Sequence, residues 1–446
     1  MIDKVATIMK FLNKIKNKSK SIFLFLIIRL SLTLKSPWLS AWCLYLAKQP
    51  INKKGEYKIL CLGRSIFTDD VYALTVFGGH LEYVSIHRTY WRIIFDYFIK
   101  DLDRNKITEN NYHVDDYGQE HKKNYYLYLS RVIPWLKKIL GFDAVLSGNI
   151  GYVEQQEIER VCSNQAILFV VLHKEGMGAY NNYADVRAYH DFQFNGSGIL
   201  FYNEAIAQAL IGAKIPGLTK EKSAVVGIPR FDFYFKKGDG AKEKKQVVLF
   251  SFHPRDRFFD LIEDKEKAEV ARERCELFHK IVIEYALKNP TVKVIIKTKA
   301  PRHYLDFVKD IQKKYFKEEI KNLIITNEGS SANLIKNSLV ILGFGSTILL
   351  EALCVNRSII ILPEMRDLII DQSWDFFMGY QPIINYAKTE ADIELIIKNS
   401  FGKEINRQLI NKLLAGVIYK PDGLASQRAE AELVKLIKLN KTNLNG

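Results

Sequence analysis

The chain alternates between short apolar runs and longer segments with helical periodicity. Helical patterns such as Val153–Cys162 and Asn203–Ile211 separate runs that are rich in apolar residues. These runs, which read as strands, are Tyr57–Gly63, Tyr83–His87, Ala144–Ser147, Ala166–Leu172 and Ala224–Gly227. Strands that alternate with helices predict parallel pairing through right-handed crossovers. The first half of the chain therefore predicts a doubly wound α/β domain.

The same alternation begins again after a polar, glycine-containing stretch at 238–245, which predicts a domain boundary. Further strands are predicted at Gln246–Phe252, Thr291–Lys297, Asn322–Thr326, Ser338–Gly343 and Ser358–Leu362, with helices at about 262–288, 303–317, 346–355 and 391–400. A chain of 446 residues also exceeds what one hydrophobic core usually organises. The predicted fold class is therefore α/β, with two tandem Rossmann-like domains that face each other across a cleft.

A basic, amphiphilic segment precedes the first strand. Residues 1–20 contain six lysines and one aspartate, and the apolar run Ile22–Ile28 follows. Arg29 interrupts this run and no small-residue cleavage pattern follows, which disfavours a secretory signal, and the run is short for a transmembrane helix. With Trp38 at a position suited to headgroups, the segment predicts a helix in the interface of an anionic leaflet. The alternative is a helical hairpin packed on the protein's own core.

Composition narrows the range of partners and compartments. The chain has 65 Lys and Arg against 50 Asp and Glu, and its formal net charge of +15 favours anionic partners such as nucleotides, acidic lipids or nucleic acid. Its five cysteines lie far apart without any CxxC pair. We therefore expect free thiols in a reducing compartment, with no zinc site and no disulfide framework.

The sharpest functional signal is a predicted strand that runs into a small-residue turn and then a helix. Gly345, Ser346 and Thr347 follow the apolar run 338–342. Backbone N–H groups at such a helix start, together with the helix dipole, favour a phosphate or pyrophosphate. Glu351 lies one turn further along and is placed to accept hydrogen bonds from a ribose. The alternative is a simple tight turn with an N-cap and a surface glutamate.

Cationic residues follow two further predicted strands of the second domain. His253 and Arg255 come after one of them, and Lys297 and Lys299 come at the end of the next. Carboxyl ends of parallel strands meet at one edge of the sheet, so both groups are expected near the phosphates of the same ligand. Each group alone also fits an ordinary loop or a solvated strand end.

Candidates for a general base lie in the first domain, where an acceptor hydroxyl would need one. The predicted strand Ala166–Leu172 leads directly into His173 and then Glu175, which are paired candidates. Asp69 or Asp70, just after the first strand, is the alternative base. The alternative is that His173 caps its strand and that Glu175 belongs to a surface ion pair.

The small-residue turn followed by Glu351-Ala352 resembles the nucleotide-binding loop of GT-B glycosyltransferases. His253-Pro254 looks like the His-Pro motif of bacterial transferases that use CMP-activated sialic acid or Kdo, and Lys297-Thr-Lys299 is similar to loops of CDP-glycerol-dependent transferases. The glycerophosphotransferases carry His-Gly where this chain has His-Lys-Glu-Gly, so their catalytic histidine is not carried over.

A second resemblance falls near the end of the first domain. Gly227-Ile-Pro-Arg-Phe-Asp232 resembles the Gly-x-Pro-Arg-x-Asp segment of the teichoic-acid and surface-carbohydrate branch. That resemblance implies that Arg230 reaches the phosphates and that Asp232 shapes the cleft. A structural hinge salt bridge explains the two residues equally well.

Together these resemblances imply a bacterial glycosyltransferase on the inner face of the cytoplasmic membrane. It would move a sugar from a nucleotide donor to a cell-surface glycan or lipid-linked acceptor of lipopolysaccharide or capsule. The implied regions are a membrane-associating segment 1–55, an acceptor domain 56–237, a donor domain 238–423 and a C-terminal helix and tail 424–446. A GT-B site needs no metal, and no DxD-like pair stands at a strand end, so neither a metal nor another cofactor is expected.

Two other classes remain open at this point. Transfer of a polyol phosphate from a CDP-glycerol-type donor keeps the fold and changes the reaction. A nucleic-acid-binding protein fits the positive charge and the 23 Tyr and 26 Phe. Because no recognised RNA- or DNA-binding motif is present, no nucleic-acid partner is expected.

Overall fold

The chain folds into two compact α/β units. The structure, a computed structural model, describes residues 21–52, 55–109, 111–113, 116–175, 192–235, 246–256, 259, 262, 264–355, 359–365, 367–368, 383–400 and 406–445. Unit 1 comprises the described residues within Met1–Gly176, Tyr180–Asp232 and Leu424–Gly446. Unit 2 comprises those within Phe233–Gly423. The predicted boundary at 238–245 lies outside the described residues.

Unit 1 is built on a seven-stranded sheet with the order β1-β3-β2-β4-β5-β6-β7. Its strands are β1 (Gln49–Pro50), β2 (Tyr57–Gly63), β3 (Leu81–His87), β4 (Ala144–Ser147), β5 (Leu168–His173), β6 (Gly198–Phe201) and β7 (Ser223–Val225). All neighbours are parallel except the edge pair β1 and β3. The helices are 21–33, Pro37–Ala47, Ser65–Phe77, Arg88–Phe98, Gln119–Leu140, Gln156–Asn164, Glu204–Gly212 and Ala425–Asn445.

Unit 2 is built on a six-stranded, wholly parallel sheet with the order β10-β9-β8-β11-β12-β13. Its strands are β8 (Gln246–Phe250), β9 (Lys293–Lys297), β10 (Leu323–Thr326), β11 (Val340–Leu342), β12 (Ile359–Pro363) and β13 (Ile384–Ala387). Its helices are Asp232–Phe235 at the junction with unit 1, Lys265–Lys288, Arg302–Tyr315, Ser331–Lys336, Thr347–Val355, Glu390–Ser400 and Arg407–Ile418. The predicted fold class is confirmed as two Rossmann-like α/β units.

Sheet order fixes where a ligand is expected in each unit. Central strands such as β5 and β8 are buried along their whole length, because helices cover both faces of a parallel sheet. In unit 2 the winding reverses between β8 and β11, and in unit 1 it reverses between β2 and β4. Ligands of open α/β sheets bind outside the carboxyl ends of the strands at such a reversal. We call these two places the crevice of unit 2 and the crevice of unit 1.

The two helices before the first parallel strand pack on unit 1. Ser31 Oγ lies 2.6 Å from Ser40 Oγ, which lies 2.7 Å from the hydroxyl of Tyr128 in the helix Gln119–Leu140. Leu24 and Ile28, on the inner face of this first helix, are buried. For the described residues 21–47 the structure therefore shows the hairpin packed on the protein's own core. Residues 1–20 lie outside the described part of the chain.

The helix Ala425–Asn445 also belongs to unit 1, although it follows unit 2 in the sequence. The carboxylate of Asp232 accepts hydrogen bonds from the backbone N–H groups of Ala425 at 3.1 Å and Ser426 at 2.7 Å. Glu430 accepts hydrogen bonds from the backbone N–H groups of His80 at 3.1 Å and Leu81 at 3.0 Å. These bonds satisfy N–H groups at the helix start and at the beginning of β3.

All five cysteines are buried free thiols. None of the helices in the described part of the chain combines the length and the hydropathy that a bilayer crossing demands.

Candidate functional site

The loops after β8 and β11 border the crevice of unit 2. The rings of Phe252 and Phe344, one from each loop, lie 5.5 Å apart and join the loops. The helix Thr347–Val355 begins directly after the second loop, and Leu349 N–H donates to the Ser346 carbonyl at 3.0 Å. Gly345, Ser346 and Thr347 therefore lie at a helix N-terminus beside the reversal of the sheet, where N–H groups lack intrahelical acceptors.

Space in the second loop is limited. A Cβ at Gly343 would lie 3.1 Å from a methyl carbon of Leu349, so a side chain there would crowd the first turn of the helix. Gly343 N–H donates to the Ile361 carbonyl of β12 at 3.1 Å, which ties the loop to the next strand. The small residues of this turn thus let the backbone come close to the sheet.

Asp256 connects the loop after β8 with the loop after β9. It accepts hydrogen bonds from His253 N–H at 3.1 Å, from Lys299 Nζ at 3.0 Å and from the Tyr304 hydroxyl. Burial would raise the pKa of Asp256, but these hydrogen bonds outweigh it and lower the pKa below its ordinary value. A charged carboxylate therefore holds His253 and Lys299 at the same end of the sheet.

His253 is held as a neutral ring with a defined proton position. Its Nδ1 accepts a hydrogen bond from Arg255 N–H at 3.0 Å, and its ring lies 4.8 Å from that of Phe307. Burial, and then the neighbouring His303, lower the pKa of His253. Because Nδ1 is an acceptor, the neutral imidazole carries its proton on Nε2 and can donate from that atom. Arg255 itself is exposed.

The two lysines predicted for this site differ in their surroundings. Lys297 Nζ donates to the carbonyls of Thr298 and Asn327, both at 2.9 Å, and burial lowers its pKa. Lys299 is about half exposed, with 47% of its side chain accessible. Lys297 therefore holds the loop after β9, whereas Lys299 presents a charge to solvent.

Glu351 lies one turn into the helix Thr347–Val355 and accepts a hydrogen bond from the hydroxyl of Tyr234. Tyr234 comes from the short helix Asp232–Phe235, whose Phe233 carbonyl accepts from Lys336 Nζ at 2.7 Å. The carboxylate predicted to face a ribose is thus also a structural partner of the chain near the start of unit 2.

Sequence reasoning missed a buried histidine beneath this crevice. His279 Nδ1 lies 2.7 Å from the Cys275 carbonyl and its Nε2 lies 2.8 Å from Ser251 Oγ, just after β8. Its ring stacks on Phe344 of the other loop, with the ring centres 5.6 Å apart. Burial lowers the pKa of His279 to about 4. No sequence signal marks this residue, because it lies within an unremarkable helical pattern.

Glu175 lies at the carboxyl end of β5, next to the crevice of unit 1. Its carboxylate accepts hydrogen bonds from Lys174 Nζ and, at 3.4 Å, from Asn149 Nδ2 in the loop after β4. Lys174 N–H donates to the Gly148 carbonyl at 3.0 Å, which holds the two loops together. The Glu175 side chain is partly accessible, at 26%.

His173, the proposed partner of Glu175, is fully buried at the end of β5. Its ring packs edge-on against Phe201 of β6, with the ring centres 6.1 Å apart. The structure therefore places Glu175 at the accessible end of the sheet and His173 inside the core.

Asp70, Arg230 and Asp232 all lie within unit 1. Arg230 Nη1 donates to both oxygens of the buried Asp70 at 3.1 and 3.0 Å, and the Tyr202 hydroxyl donates to the same carboxylate. Asp232 is buried at the start of the helix Ala425–Asn445. Asp69, the neighbour of Asp70, is exposed. The segment 227–232 thus joins the helix Ser65–Phe77 to the helix Ala425–Asn445.

In the part of the chain that the structure describes, no group of three or more His, Cys, Asp or Glu side chains is arranged to hold a metal ion.

Comparison with known proteins adds information on the fold. No protein-family model matches the chain. No curated protein matches it significantly in sequence. Solved structures do superpose on it. A candidate UDP-N-acetylglucosamine 2-epimerase from Listeria monocytogenes has 11% identity and a TM-score of 0.50 over 85% of this chain and 96% of its own. A further UDP-N-acetylglucosamine 2-epimerase has 15% identity and a TM-score of 0.50 over 86% and 96%. At such identities the likeness shows a shared fold of two Rossmann-like units.

Proposed function

We propose that this protein is a GT-B glycosyltransferase that moves a sugar from a nucleotide donor to a cell-surface glycan or a lipid-linked acceptor. The observation that carries the proposal is the convergence of three strand ends at the crevice of unit 2. A helix N-terminus at Ser346, the Nε2–H donor of His253 and the ammonium of Lys299 all lie at that end of the sheet. This set of donors suits a diphosphate or monophosphate.

Donor binding in unit 2 would also help the leaving group depart. As the bond between the sugar carbon and the phosphate oxygen breaks, negative charge grows on the departing nucleotide. N–H groups and cations fixed in advance stabilise that charge without reorganisation, which is how a site of this kind works without a metal. Arg255, exposed on the loop after β8, supplies a further cation for the phosphates. We assign Glu351, one turn into the helix Thr347–Val355, to the ribose of the donor.

Glu175 is the proposed general base. It takes the proton from the acceptor hydroxyl as that oxygen bonds to the sugar carbon, and the nucleotide leaves with the electron pair of the broken bond. Its accessible carboxylate at the end of β5 fits the role better than the buried His173 or Asp70. We assign Asp70, Arg230 and Asp232 to the stability of unit 1.

A donor screen tests the class of reaction. The full chain is incubated with UDP-sugars, CMP-Kdo, CMP-sialic acid and CDP-glycerol, with a lipid extract as acceptor, and the released nucleotide is measured. Release from a nucleotide sugar with a new glycosidic bond supports the proposal. Release of CMP from CDP-glycerol with a phosphodiester product would instead assign polyol-phosphate transfer. Conversion of UDP-N-acetylglucosamine into its 2-epimer without transfer would overturn both.

The base is tested by Glu175→Gln. This change keeps the size and one acceptor oxygen, so donor affinity should stay within about twofold, while turnover should fall by ~10²–10⁴-fold as a general base is lost. Glu221→Gln, at an exposed carboxylate of the same unit, is the matched control. Full turnover in Glu175→Gln would move the base to Asp69.

We further propose that the acceptor is presented by the inner face of the cytoplasmic membrane. The helix 21–33 is apolar on two faces. Leu24 and Ile28 face the core, whereas Leu26 is 60% exposed and Leu30 is 51% exposed. Other large apolar residues exposed nearby are Ile22, Phe23, Leu34 and Trp38. An exposed apolar stripe of this size favours insertion into a headgroup layer, and the lysines of residues 1–20 suit anionic lipids.

Cosedimentation with anionic vesicles at low salt tests this part. The double variant Leu26→Glu, Leu30→Glu should lose most vesicle binding, because it places two charges in the apolar layer. Leu395→Glu, at an equally exposed leucine of unit 2, should bind like the wild type. If the wild-type chain does not sediment with the vesicles, membrane presentation is wrong and the transferase proposal stands on the donor screen alone.

A further inference from the structure

We infer that the crevice of unit 1 binds an acidic group of the acceptor, a phosphate or a carboxylate, through Arg64, Tyr152, Gln155 and the N-terminus of the helix Ser65–Phe77. The identification of the ligand as the acceptor rests on the proposed function. The anion site itself follows from the contacts below.

The first element is a helix start that lacks a counter-charge. Arg64 is the N-cap of the helix Ser65–Phe77 and makes no side-chain capping hydrogen bond, and the first turn contains no acidic residue. The helix follows β2 directly, so its N-terminus lies at the reversal of the sheet. An exposed guanidinium beside the positive end of a helix of 13 residues is a favourable place for an anion.

The second element is a pair of arginines around one aromatic ring. The guanidinium carbons of Arg64 and Arg88 lie 5.0 and 4.5 Å from the centre of the Tyr152 ring. Arg88 is neutralised by the buried Glu154, to which its Nη2 donates at 2.7 Å. Arg64 forms an ion pair with none of the described carboxylates, so its charge is available to a ligand.

The third element points independently to a ligand. The Tyr152 hydroxyl and the Gln155 Nε2 are buried and make no hydrogen bond to any described residue. Tyr152 is 6% exposed and Gln155 is 2% exposed. Ser147 Oγ, at the end of β4, donates to Gln155 Oε1 at 2.6 Å and so fixes the amide beside the crevice. Buried donors are rarely left without an acceptor, and an anion between them and Arg64 would satisfy both.

The position of this site matches the proposed chemistry. Asn149, two residues after Ser147, donates to the carboxylate of Glu175. The anion site and the proposed base therefore lie on adjacent strand ends of one sheet. An acidic group anchored at Arg64 would hold an acceptor by a part that does not react, which is how binding energy orients a reacting hydroxyl. A phosphorylated soluble sugar and a phosphate-bearing lipid both carry such a group.

The test uses inorganic phosphate as the probe, followed by ³¹P NMR titration of the full chain. We expect two sites, one in each unit. Ser346→Asp should remove the site of unit 2 only, and Tyr152→Phe should weaken the site of unit 1 by about threefold to tenfold, since it removes one hydrogen bond to an anion. Arg64→Gln should weaken the same site by about tenfold to a hundredfold. Arg92→Gln, at an arginine of the helix Arg88–Phe98 outside the cluster, should change neither site.

Thermal unfolding separates binding from structure. Tyr152→Phe keeps the ring between the arginines and deletes a hydroxyl that has no described partner, so its melting temperature should equal or exceed that of the wild type. A lower melting temperature with unchanged phosphate binding would show a purely structural hydroxyl and overturn the inference. Loss of the Ser346 site alone, with no second site, would also overturn it and leave the proposed function intact. If the only phosphate site found is the one that Tyr152→Phe weakens, the proposed donor site of unit 2 is overturned and the anion site of unit 1 is kept.

Competition identifies the source of the acidic group. Displacement of phosphate from the site of unit 1 by glucose 1-phosphate, but not by phosphatidic acid in micelles, assigns a soluble acceptor. Displacement by phosphatidic acid assigns a lipid-borne one. If neither displaces phosphate, the site does not recognise acceptors and the inference is overturned.

Discussion

Glu159 of unit 1 and Asp256 of unit 2 are in opposite electrostatic situations. In unit 1, burial raises the pKa of Glu159 to about 8 even though the Asn195 N–H donates to it at 2.5 Å. In unit 2, burial would raise the pKa of Asp256, but hydrogen bonds from Tyr304 and from the loop outweigh it and lower the pKa. Unit 1 therefore encloses acids within its core, whereas unit 2 uses a charged acid to organise the loops of its crevice.

Sheet order explains how one architecture supports both arrangements. In unit 1 the first parallel strand, β2, lies between the second and the third, and in unit 2 the first strand, β8, lies between the second and the fourth. A different pair of loops therefore borders each crevice. In unit 2 one loop carries His253 and Arg255 and the other is the short glycine-containing turn before Thr347, while the pair in unit 1 carries Arg64 and leads to Tyr152. The two units share a fold, and they differ in the residues of the loops that border each crevice.

The largest expected effect contrasts a buried ion pair with an exposed one. Asp70→Asn leaves the buried Arg230 without a carboxylate, so the free energy of unfolding of unit 1 should fall by about 3–5 kcal/mol. Asp367→Asn breaks the pair with Arg274 in unit 2, where the carboxylate is 59% exposed, and should cost below about 1 kcal/mol. Hydrogen exchange of the sheet amides in each unit measures both values. Equal losses would remove the contrast between the units.

Changes of pH should act on the two units with opposite signs. The folded pKa of His279 is about 4 and its ordinary value is 6.5, so between these values only unfolded unit 2 binds the proton, and its stability falls as pH falls. The folded pKa of Glu159 is about 8 against 4.5, so folded unit 1 holds the proton and loses stability as pH rises through that window. The upper limits are about 3 kcal/mol for His279 and about 5 kcal/mol for Glu159.

Hydrogen exchange at several pH values between 4 and 8 checks this prediction. Glu159→Gln should reduce the slope of the profile of unit 1, with the remaining slope due to Glu157, whose pKa burial raises to about 7, and leave the profile of unit 2 unchanged. Profiles of the same sign in both units would show that other groups control the pH dependence.

The third prediction concerns the donor site. Ser346→Asp places a negative charge at the helix N-terminus proposed to bind phosphate, and like charges at such a site cost several kcal/mol. Nucleotide affinity measured by calorimetry should fall by more than about 100-fold. Ser330→Asp puts the same residue at the N-cap of the helix Ser331–Lys336, where aspartate is a good cap, and should leave affinity and stability nearly unchanged. Similar losses in both variants would contradict the phosphate assignment.

The smallest expected effect separates the two lysines of unit 2. Lys299→Ala should weaken nucleotide binding by about tenfold, because it removes one accessible charge near the phosphates. Lys297→Ala removes two hydrogen bonds to carbonyls instead, so it should lower the stability of unit 2 by about 1–2 kcal/mol and change affinity less. A larger loss of affinity in Lys297→Ala than in Lys299→Ala would instead indicate that Lys297 contacts the nucleotide.

Much of the fold is readable from the apolar pattern. The bounds of β2 and β4 are predicted to the residue, because both are buried apolar runs that end at polar or glycine residues. The strands β6 and β13 are missed. Both are as short as β4, and β13 at Ile384–Ala387 also contains Asn385 and lies at an edge of its sheet. Short strands of this kind are defined by their neighbours in the sheet, which the local sequence does not encode.

The sequence predicts residues of the candidate site only where they directly follow predicted strands. Gly345, Ser346, His253 and Lys299 lie together because each comes just after a strand of one parallel sheet. Contacts between side chains that are far apart in the sequence cannot be predicted in this way. Arg230 and Asp70 are separated by 160 residues, and no local pattern records their contact. For the same reason, the sequence leaves open whether Arg230 and Asp232 are ligand groups, as the family resemblance implies, or form a structural salt bridge.

Because the helix Ala425–Asn445 belongs to unit 1 but follows unit 2 in the sequence, unit 1 can be completed only after unit 2 has been synthesised. A ribosome releases the strands of unit 1 first, then the whole of unit 2, and only afterwards the helix that carries Glu430. Until that helix arrives, the His80 and Leu81 N–H groups lack their acceptor, which lies 350 and 349 residues further along the chain. The described residues of unit 2 all lie within Phe233–Gly423, so its sheet can form while synthesis proceeds. Unit 1 therefore finishes last, and the beginning of β3 lacks this acceptor while the second half is translated.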